Sequence, residues 1–319
     1  MANWGILGCG GIARHMASAL RDVKDARLLA CAARSQERAD KLAGEFGIER
    51  AYGDWASLCA DPDVEIVYVA VVNTAHAAAV RMCIEAGKAV ICEKPFAMSE
   101  REGRELFALA KEKGVLLMEA IWTLFLPAIR EARRQIETGA IGTLKNAAID
   151  FSFSAACTLE SRLYDPARGG GALLDVGVYT THVAQYFFGP ETPAVQAVGR
   201  VAKTGVDGFA AVTLEYPGGK FALTTCGVDV AGAGDARLYG DGGWIEIPHM
   251  FSADHLIIHR GGQPDEHLDF SGRDGFCYEA EEFQRLYENG ETVSDIATPE
   301  TTLRVASILD EAMRQVLGR

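Results

Sequence analysis

The sequence lacks any apolar run of the roughly 18 residues that a membrane-spanning helix needs. Its longest strand-like apolar run extends only from Ile66 to Val72. The N-terminus has no basic region ahead of its first apolar stretch, and that stretch leads into glycines rather than into a cleavage site. We therefore expect no membrane partner and no secretory signal, and we predict a cytoplasmic protein.

Positive charge is scarce in this chain. The 31 lysines and arginines are outnumbered by 44 aspartates and glutamates, which gives a formal net charge of −13. A field of this sign repels nucleic-acid phosphates and anionic lipid headgroups. The composition therefore argues against nucleic acid as a partner.

The eight cysteines include no CxxC pair. Most of them fall inside apolar strand or helix patterns, which is typical of reduced core thiols rather than of a disulfide framework or a zinc site. Histidine, cysteine and aspartate form no cluster with the spacing of a metal site. No metal is therefore predicted.

The sequence does have the length and composition of about two globular domains. Hydrophobic residues make up 49% of the chain and charged residues 24%, an ordinary balance for a folded protein. The periodicity changes after Glu119. We predict a dinucleotide-binding domain over residues 1–120 and a substrate-binding and oligomerisation domain over residues 121–319.

The first predicted domain alternates buried strands with amphipathic helices, which indicates an α/β Rossmann fold with a doubly wound parallel sheet. The predicted strands are Trp4–Leu7, Arg27–Ala33, Glu65–Val72, Ala89–Cys92 and Val115–Met118. The predicted helices are Ile12–Val23, Gln36–Phe46, His76–Ala86 and Ser99–Lys113.

The second predicted domain has the spacing of an α+β fold built on an open, mostly antiparallel sheet. Its predicted strands are Thr143–Ser154, Val195–Ala202, Phe209–Tyr216, Lys220–Cys226, Ala236–Gly240 and Trp244–Ile247. Its predicted helices are Ala128–Thr138, Leu173–Phe188, Phe276–Asn289 and Pro299–Leu317, with Thr298 capping the last. An apolar open sheet face is costly in water, so we expect it to form a homodimer interface.

A glycine-rich loop follows the first strand. Gly8, Gly10 and Ala13 fit the pattern G-x-G-x-x-G/A, and Gly11 and Ile12 lead into the next helix. The first glycine permits a tight turn, the second lets backbone N–H groups approach a pyrophosphate, and Ala13 allows close packing of helix on strand. At the start of a βαβ series this loop predicts a bound dinucleotide, the alternative being an ordinary strand-to-helix turn.

The end of the second strand indicates which dinucleotide binds. An NAD site usually has an acidic residue there for the ribose 2′-hydroxyl, but this chain has Arg34, Ser35 and Arg38 instead. Arg34 can stack on adenine or pair with a 2′-phosphate, and Ser35 can donate to that phosphate. We predict NADP(H), with NAD(H) as the less favoured cofactor. The alternative is that both arginines are solvated surface charges.

Three further strings carry a resemblance to a known family: CEKP at residues 92–95, EAIW at 119–122 and GGGALLDVGVY at 169–179. With the glycine loop they resemble the glucose–fructose oxidoreductase/inositol dehydrogenase (Gfo/Idh/MocA) family of NAD(P)-dependent sugar and polyol oxidoreductases. The similarity is greatest to its branch of dihydrodiol dehydrogenases and NADP-dependent xylose dehydrogenases. It extends over essentially the whole chain, but Leu124 stands where that branch tends to have an arginine, so one polar contact is missing.

The resemblance implies that Lys94 is the family lysine beside the nicotinamide, on a turn fixed by Glu93 and Pro95. A lysine ammonium stabilises a developing alkoxide and polarises a carbonyl oxygen, so the same group serves both reaction directions. Lys94 also follows the carboxyl end of a buried strand, where open α/β sheets bind ligands. The alternative is a surface lysine in a turn.

Asp175 and Tyr179 are four residues apart and would share one face of a helix. The family motif implies that Tyr179 is the acid/base and that Asp175 binds substrate and orients the lysine. An unperturbed tyrosine titrates near about 10, so Tyr179 needs a nearby cation such as Lys94. His182, on the same predicted face, is a rival acid/base that we assign to substrate contact. The alternative is that Asp175 and Tyr179 only join helix to sheet.

Other residues match the family pattern less specifically. Asn73 and His76 match its N-x-x-H after a strand and are assigned to the cofactor, with helix capping as the alternative. Arg162 contacts cofactor or substrate in this interpretation, or pairs with a carboxylate. Most aromatic residues are core, but four are candidate walls of a substrate pocket: Trp122, Phe151, Phe153 and Phe276.

Together these patterns predict a metal-free, NADP-dependent oxidoreductase that moves a hydride between nicotinamide and a carbinol carbon of a sugar or a cyclic trans-diol. One alternative is a keto-sugar reductase or a cofactor-retaining sugar oxidoreductase of the same family. The other is a non-enzymatic NADP(H)-binding redox sensor, which would have no need of Lys94, Asp175 and Tyr179.

Overall fold

The computed structural model describes residues 1–318, which divide into two compact units. The first unit comprises residues 1–122 and 273–303, and the second comprises residues 123–272 and the chain from residue 304. Each unit is therefore made of two chain segments. We predict a single division after residue 120. That prediction assigns residues 273–303 to the second domain, whereas in the structure they belong to the first unit.

The first unit contains a six-stranded parallel sheet in the order β3-β2-β1-β4-β5-β6. Its strands are runs of buried aliphatic residues, as expected where helices cover both faces. The strand order reverses at β1, which pairs with β2 on one side and β4 on the other, and ligands bind outside the carboxyl ends of strands at such a point. The strands are β1 (Ala2–Leu7), β2 (Ala26–Ala32), β3 (Arg50–Tyr52), β4 (Ile66–Val69), β5 (Ala89–Glu93) and β6 (Leu117–Ala120).

Helices connect these strands, and the predicted Rossmann fold is confirmed. The helices of this unit are α1 (Gly11–Ala19), α2 (Gln36–Phe46), α3 (Trp55–Ala60), α4 (His76–Glu85), α5 (Glu100–Lys113) and α8 (Phe276–Glu288). The returning segment is tied to the first strand, because the Trp4 indole donates to Gln284 on α8 (Nε1···Oε1 3.1 Å). The sequence analysis missed β3 and α3, which are too short to give a periodic pattern.

The second unit is built on an eight-stranded sheet in the order β14-β13-β12-β11-β7-β10-β9-β8. All neighbouring strands are antiparallel except β7 and β10, which are parallel, so the predicted mostly antiparallel sheet is confirmed. The strands are β7 (Leu144–Ser152), β8 (Ala194–Val201), β9 (Asp207–Tyr216), β10 (Lys220–Gly227), β11 (Ala236–Gly240), β12 (Gly243–Ile247), β13 (His255–Arg260) and β14 (Glu266–Asp269).

Two of these strands, β13 and β14, were not predicted. Histidine, arginine and acidic residues interrupt their apolar alternation, and pairing with β12 rather than local pattern places them in the sheet. The helices of the unit are α6 (Pro127–Glu137), α7 (Val178–Phe188) and most of α9 (Pro299–Leu317). Thr298 caps α9 as predicted, accepting a hydrogen bond from the Thr301 N–H at 3.1 Å. None of the described helices has the length and hydropathy of a membrane span.

Candidate active site

The glycine loop joins β1 to α1 at the point where the strand order reverses. Gly8 has φ +107°, and a Cβ there would lie 2.2 Å from the Ala70 carbonyl oxygen, so only glycine fits. A Cβ on Gly10 or Gly11 would meet nothing within 4 Å. Helix α1 has no side-chain cap and no acidic residue in its first turn, so its first N–H groups are left for an anion. The loop therefore fits the pyrophosphate of a dinucleotide.

The end of β2 presents the three residues that we assign to a 2′-phosphate. Strand β2 ends at Ala32, and Arg34, Ser35 and Arg38 are all exposed beyond it. Ser35 is the N-cap residue of α2, yet its side chain makes no capping bond. A hydrogen bond from Cys31, and secondarily the charges of Arg38 and Arg14, hold the pKa of the Cys9 thiol below its usual range.

Lys94 lies on the turn that directly follows β5. Glu93, the last residue of that strand, is buried, and its carboxylate accepts a hydrogen bond from the Tyr68 hydroxyl on β4. The same carboxylate accepts from the Lys94 backbone N–H at 3.2 Å. Lys94 itself is half-buried at the carboxyl end of the sheet. Glu93 thus fixes the backbone of the turn, as the resemblance implies.

Two further motif residues support the same turn. The buried His76 ring places Nδ1 2.8 Å from the Pro95 carbonyl oxygen, and burial lowers the pKa of His76. Glu119, from the EAIW string, accepts from the Phe96 N–H at 3.0 Å and from the Thr302 hydroxyl at 2.8 Å. Three strings that are separate in the sequence therefore fix one turn.

For His76 the helix-capping alternative is wrong, because both ring nitrogens face carbonyl oxygens, whereas for Asn73 it stays a prediction beside the cofactor contact. Asn73 opens a 3₁₀ turn, Asn73–Ala75, and His76 opens α4, but the N-cap residues of these elements are Val72 and Ala75, which make no side-chain cap. The His76 ring faces carbonyl oxygens instead. Asn73 is half-buried just beyond β4, and its contact with a cofactor stays a prediction.

Trp122 and Phe276 pack together in the first unit. Their ring centroids are 4.9 Å apart. The His15 ring stacks on Phe276 with a centroid distance of 4.2 Å. Trp122 is 8% exposed and Phe276 only 2%. The structure brings these two predicted wall residues into contact, and their role in binding substrate stays a prediction.

In the second unit, Asp175 is paired with Arg162. Asp175 is buried, and one of its oxygens accepts from Arg162 (Nη1···Oδ1 2.7 Å). The Arg162 side chain is more than half exposed. The structure therefore shows Arg162 paired with a carboxylate, as one of its predicted alternatives. That carboxylate belongs to Asp175, a candidate catalytic residue.

Asp175 does not lie on a regular α-helix. The predicted helix over Leu173–Phe188 is present, but its residues Leu173–Gly177 form a single π turn that continues into α7. A π turn holds an extra residue and rotates the side chains before it relative to those after it. The four-residue spacing of Asp175 and Tyr179 thus crosses a change of helix type, and the simple argument from a shared face does not apply. Such turns occur frequently at functional sites.

Tyr179 lies in an aromatic cluster. Phe151 and Phe251 stack on each other with centroids 4.5 Å apart, and the Tyr179 ring meets both edge-on, at 5.5 and 6.2 Å. The ring centroids of Phe153 and Phe151 are 6.3 Å apart. Phe251 was missed by the sequence analysis because it belongs to a short turn, Met250–Ser252, outside every motif. The stacked pair of Phe151 and Phe251 thus packs against one side of the Tyr179 ring.

His182 is fully buried on α7. It follows Tyr179 by three residues within the regular part of that helix, so the two side chains are neighbours on its surface. Its burial favours a supporting role over contact with a soluble substrate. The assignment of His182 to substrate stays a prediction.

The run of glycines before the π turn is required by close packing. A Cβ on Gly170 would lie 2.7 Å from the Leu163 carbonyl oxygen. Gly171 has φ +127°, and its Cβ would lie 2.3 Å from Oδ1 of Asp207. Asp207, the first residue of β9, is a buried carboxylate that no sequence motif pointed to. Within residues 1–318, no group of three His, Cys, Asp or Glu side chains is arranged to hold a metal ion.

Comparison with known proteins identifies both halves of the chain. Residues 2–121 match the family model described as an oxidoreductase family with an NAD-binding Rossmann fold, and residues 129–246 match the GFO/IDH/MocA C-terminal domain. The chain is 35% identical to a trans-1,2-dihydrobenzene-1,2-diol dehydrogenase of Mus musculus, over 98% of this chain and 96% of that protein. The human protein of the same name is 32% identical over 99% and 96%.

Solved structures give the same result. KijD10, a 3-ketoreductase from Actinomadura kijaniata solved with NADP and TDP-benzene, aligns with a TM-score of 0.89 and 28% identity over 99% of this chain and 98% of that one. An aldose-aldose oxidoreductase from Caulobacter crescentus aligns with a TM-score of 0.90 and 25% identity over 100% and 98%. These proteins share both the fold and a detectable sequence similarity with this chain.

Proposed function

Because the chain belongs to the Gfo/Idh/MocA oxidoreductase family, we propose that it is an NADP-dependent dehydrogenase of cyclic trans-diols or aldoses. The family and its dehydrogenase relatives make the chain an oxidoreductase of CH–OH groups that uses a nicotinamide dinucleotide. The preference for NADP, the substrate class and the roles of individual residues are the proposed part.

Three exposed groups support the preference for NADP. Arg34, Ser35 and Arg38 follow β2 without an acidic residue at the strand end, and the Ser35 hydroxyl is not used as a helix cap. An arginine fork and a hydroxyl suit a phosphate, whereas a ribose hydroxyl is usually bound by a carboxylate. KijD10, which shares this fold, was solved with NADP.

The observation that carries the proposed reaction is the arrangement around Tyr179. Its ring is held by the stacked Phe151 and Phe251, and it follows the buried Asp175 on the same helical segment. Flat aromatic rings suit the face of a hydroaromatic diol or the C–H face of a sugar. The dihydrodiol dehydrogenases among the relatives make a trans-diol the first substrate to test.

A bound nicotinamide dinucleotide supplies the hydride acceptor in oxidation and the hydride donor in reduction. In oxidation Tyr179 would act as its phenolate and accept the proton of the substrate hydroxyl, while the carbinol C–H bond breaks, its hydrogen leaves as hydride to the nicotinamide, and the carbonyl forms. The Lys94 ammonium stabilises the negative charge that develops on the substrate oxygen, and in reduction it polarises the carbonyl. Asp175, held by Arg162, accepts a hydrogen bond from a second substrate hydroxyl.

A panel of substrates tests this proposal. Purified protein is assayed by absorbance of the reduced cofactor, with trans-dihydrodiols and aldoses each offered with NADP⁺ and with NAD⁺. We expect turnover with at least one member of the panel and higher kcat/KM with NADP⁺. Absence of turnover with every diol and aldose, in a protein that binds NADP⁺, would contradict the proposed reaction.

Lys94→Met removes the ammonium while keeping a side chain of similar length. Because Lys94 acts on charge that develops only in the transition state, kcat should fall by at least about a thousandfold while the Kd of the cofactor stays within about tenfold. Lys113→Met, at the end of α5, is the matched control and should keep wild-type kinetics. Near-normal turnover of the Lys94 variant would refute its assigned role.

One observation favours a second candidate, a reductase of a keto sugar. KijD10 is a 3-ketoreductase and matches the chain over nearly its whole length. The same residues would act in reverse, with Tyr179 donating the proton. Assay of NADPH oxidation with keto sugars distinguishes this candidate from the dehydrogenase.

We also propose that the protein forms a homodimer through the sheet of its second unit. On the sheet face opposite α7, apolar side chains remain exposed on β8 and β10, among them Val198 at 72% and Leu223 at 56%. Such a face is stabilised by burial against a second copy of itself.

A further inference from the structure

The π turn and α7 together form the helical segment that carries Asp175 and Tyr179. The N-terminal end of this segment contacts a carboxylate from β9. Asp207, 2% exposed at the start of β9, accepts a hydrogen bond from the Leu173 N–H (Oδ2···N 2.6 Å). The Ala172 N–H also donates to this carboxylate. These two N–H groups belong to the start of the π turn, two and three residues before Asp175.

Asp207 is the cap that this helix otherwise lacks. The residue in the N-cap position of the π turn is Ala172, which has no side-chain acceptor. A carboxylate there satisfies N–H groups that have no partner within the helix and is favoured by the helix dipole. Gly171 accommodates it, since any Cβ at that position would overlap Oδ1 of Asp207.

The carboxylate is held in an unfavourable place for a charge. Burial raises the pKa of Asp207 to about 6, and the N–H donors of Leu173 and Ala172 lower it only in part. An ionised Asp207 at neutral pH therefore costs folding free energy that a neutral side chain would not. A neutral asparagine could cap the same N–H groups without this cost, so the presence of a carboxylate points to a use beyond capping.

The titratable groups around Asp207 do not account for this shift by mutual repulsion. From β10, the Cys226 thiol faces it, and burial raises the pKa of that thiol well above its usual range, so the thiol is neutral. From the segment after β10, Asp229 lies against Gly208 and is paired with Arg200. On the π turn, Asp175 is paired with Arg162.

We propose that Asp207 is a positioning residue for the reaction, whose carboxylate holds the start of the π turn in the geometry that presents Asp175 to substrate. The inference rests on the proposed function for the importance of Asp175, but not for the contacts of Asp207. Loss of the charge lets the two N–H groups shift, and small displacements of a catalytic group have large effects on rate.

The sign of the pH effect separates this role from a structural one. As pH falls through about 6, Asp207 takes up a proton, and the folded protein is stabilised because the unfolded chain holds that proton only below about 3.9. The same protonation turns one carboxylate oxygen into a hydroxyl, which weakens the hydrogen bonds to the Leu173 and Ala172 N–H groups and should slow the reaction. Activity and stability should therefore move in opposite directions between pH 7 and pH 5.

The test compares full-length wild type with Asp207→Asn and Asp207→Glu. We expect Asp207→Asn to have a higher urea midpoint than wild type at pH 8, with the difference shrinking at pH 5. We also expect its kcat to fall by about tenfold or more with little change in KM, and the wild-type inflection of kcat near pH 6 to disappear. Asp207→Glu should restore part of the rate and the inflection.

Asp150→Asn is the matched control. Asp150, on β7 of the same sheet, also accepts from a backbone N–H, that of Gly234 at 3.0 Å, and it accepts from the Ser152 and Thr225 hydroxyls as well. The Asp150→Asn variant should have the same dependence of kcat on pH as the wild type. Wild-type kcat and pH profile in Asp207→Asn, or a midpoint below that of wild type at pH 8, would overturn the proposal.

The variants Asp175→Asn and Tyr179→Phe keep this test separate from the proposed function. If both retain full turnover, the assignment of the catalytic residues is wrong. If both are inactive while Asp207→Asn is unaffected, only the inference about Asp207 fails.

Discussion

Arg34 is the residue on which the cofactor preference depends. It is exposed beyond β2. A guanidinium at this place can pair with a 2′-phosphate, whereas a carboxylate would repel the phosphate. Arg34→Asp should lower kcat/KM for NADP⁺ relative to NAD⁺ by about a hundredfold or more, since two charge-assisted hydrogen bonds are lost. Steady-state kinetics with both cofactors measures this ratio. Arg101→Asp, an exposed arginine on α5, should leave it unchanged, and an unchanged ratio in Arg34→Asp would exclude the phosphate site.

Glu279 is a buried residue that the proposed reaction does not use. It is completely buried on α8, and among residues 1–318 neither of its carboxyl oxygens has a hydrogen-bond partner. Burial, and secondarily the charge of Glu93, raises its pKa well above the usual range. The folded protein thus retains a proton that the unfolded chain releases near about 4.3, so this group lowers the free energy of unfolding as pH rises above that value.

Glu279→Met should therefore stabilise the protein. The expected gain is about 1–3 kcal/mol at pH 8, and it should shrink as pH falls toward 5, because the pH then approaches the value near about 4.3 at which the unfolded carboxyl also takes up a proton. Urea unfolding at the two pH values measures it. Glu288→Met, at the exposed end of the same helix, should change stability by less than about 0.5 kcal/mol. A destabilised Glu279 variant would mean that this carboxyl has a role in the fold.

Residues with a motif could be found from the sequence, and residues without one could not. Lys94 and Tyr179 stand in specific strings, and their placement at a strand end and on the helix followed from pattern. Phe251 and Asp207 act through contacts with residues far away in the chain, so nothing in their local sequence distinguishes them. His76 was found, but its link to Pro95 depends on tertiary structure.

The π turn is the element that local pattern could not predict. Apolar periodicity indicates a helix over Leu173–Phe188, but it does not distinguish an α turn from a π turn at its start, where the Leu173 N–H bonds to Asp207 on a distant strand. The longer helices and central strands were predicted to within a few residues because their patterns are long. The short β3, α3 and β14 depend on their neighbours in the fold.

Gly171→Ala tests how tightly the π turn is specified. The substitution forces a side chain into φ +127° and against Oδ1 of Asp207, so we expect a loss of about 2 kcal/mol or more in the free energy of unfolding. Gly261→Ala, where a Cβ would meet open space, should change stability by less than about 1 kcal/mol. Urea unfolding measures both. A Gly171 variant as stable as wild type would show that the turn readily takes another form.

At the scale of the whole molecule, the exposed sheet face predicts the oligomeric state. We expect the wild type to have the mass of a dimer by light scattering after size exclusion. Leu223→Asp places a charge on this face and should give the mass of a monomer. Val293→Asp is a matched control, because Val293 is similarly exposed but belongs to the first unit. A monomeric wild type, or a dimer unaffected by Leu223→Asp, would contradict the proposed interface.

The parallel pairing of β7 with β10 has a consequence for synthesis on the ribosome. Strand β7 ends at Ser152, but both of its neighbours, β10 and β11, lie between Lys220 and Gly240, roughly 70 residues or more further along the chain. At about 5–20 residues per second, the nascent β7 waits on the order of ten seconds with both edges open. During that interval it is a template for wrong pairing with other chains, so production at high expression rates should benefit from slower translation or from added chaperones.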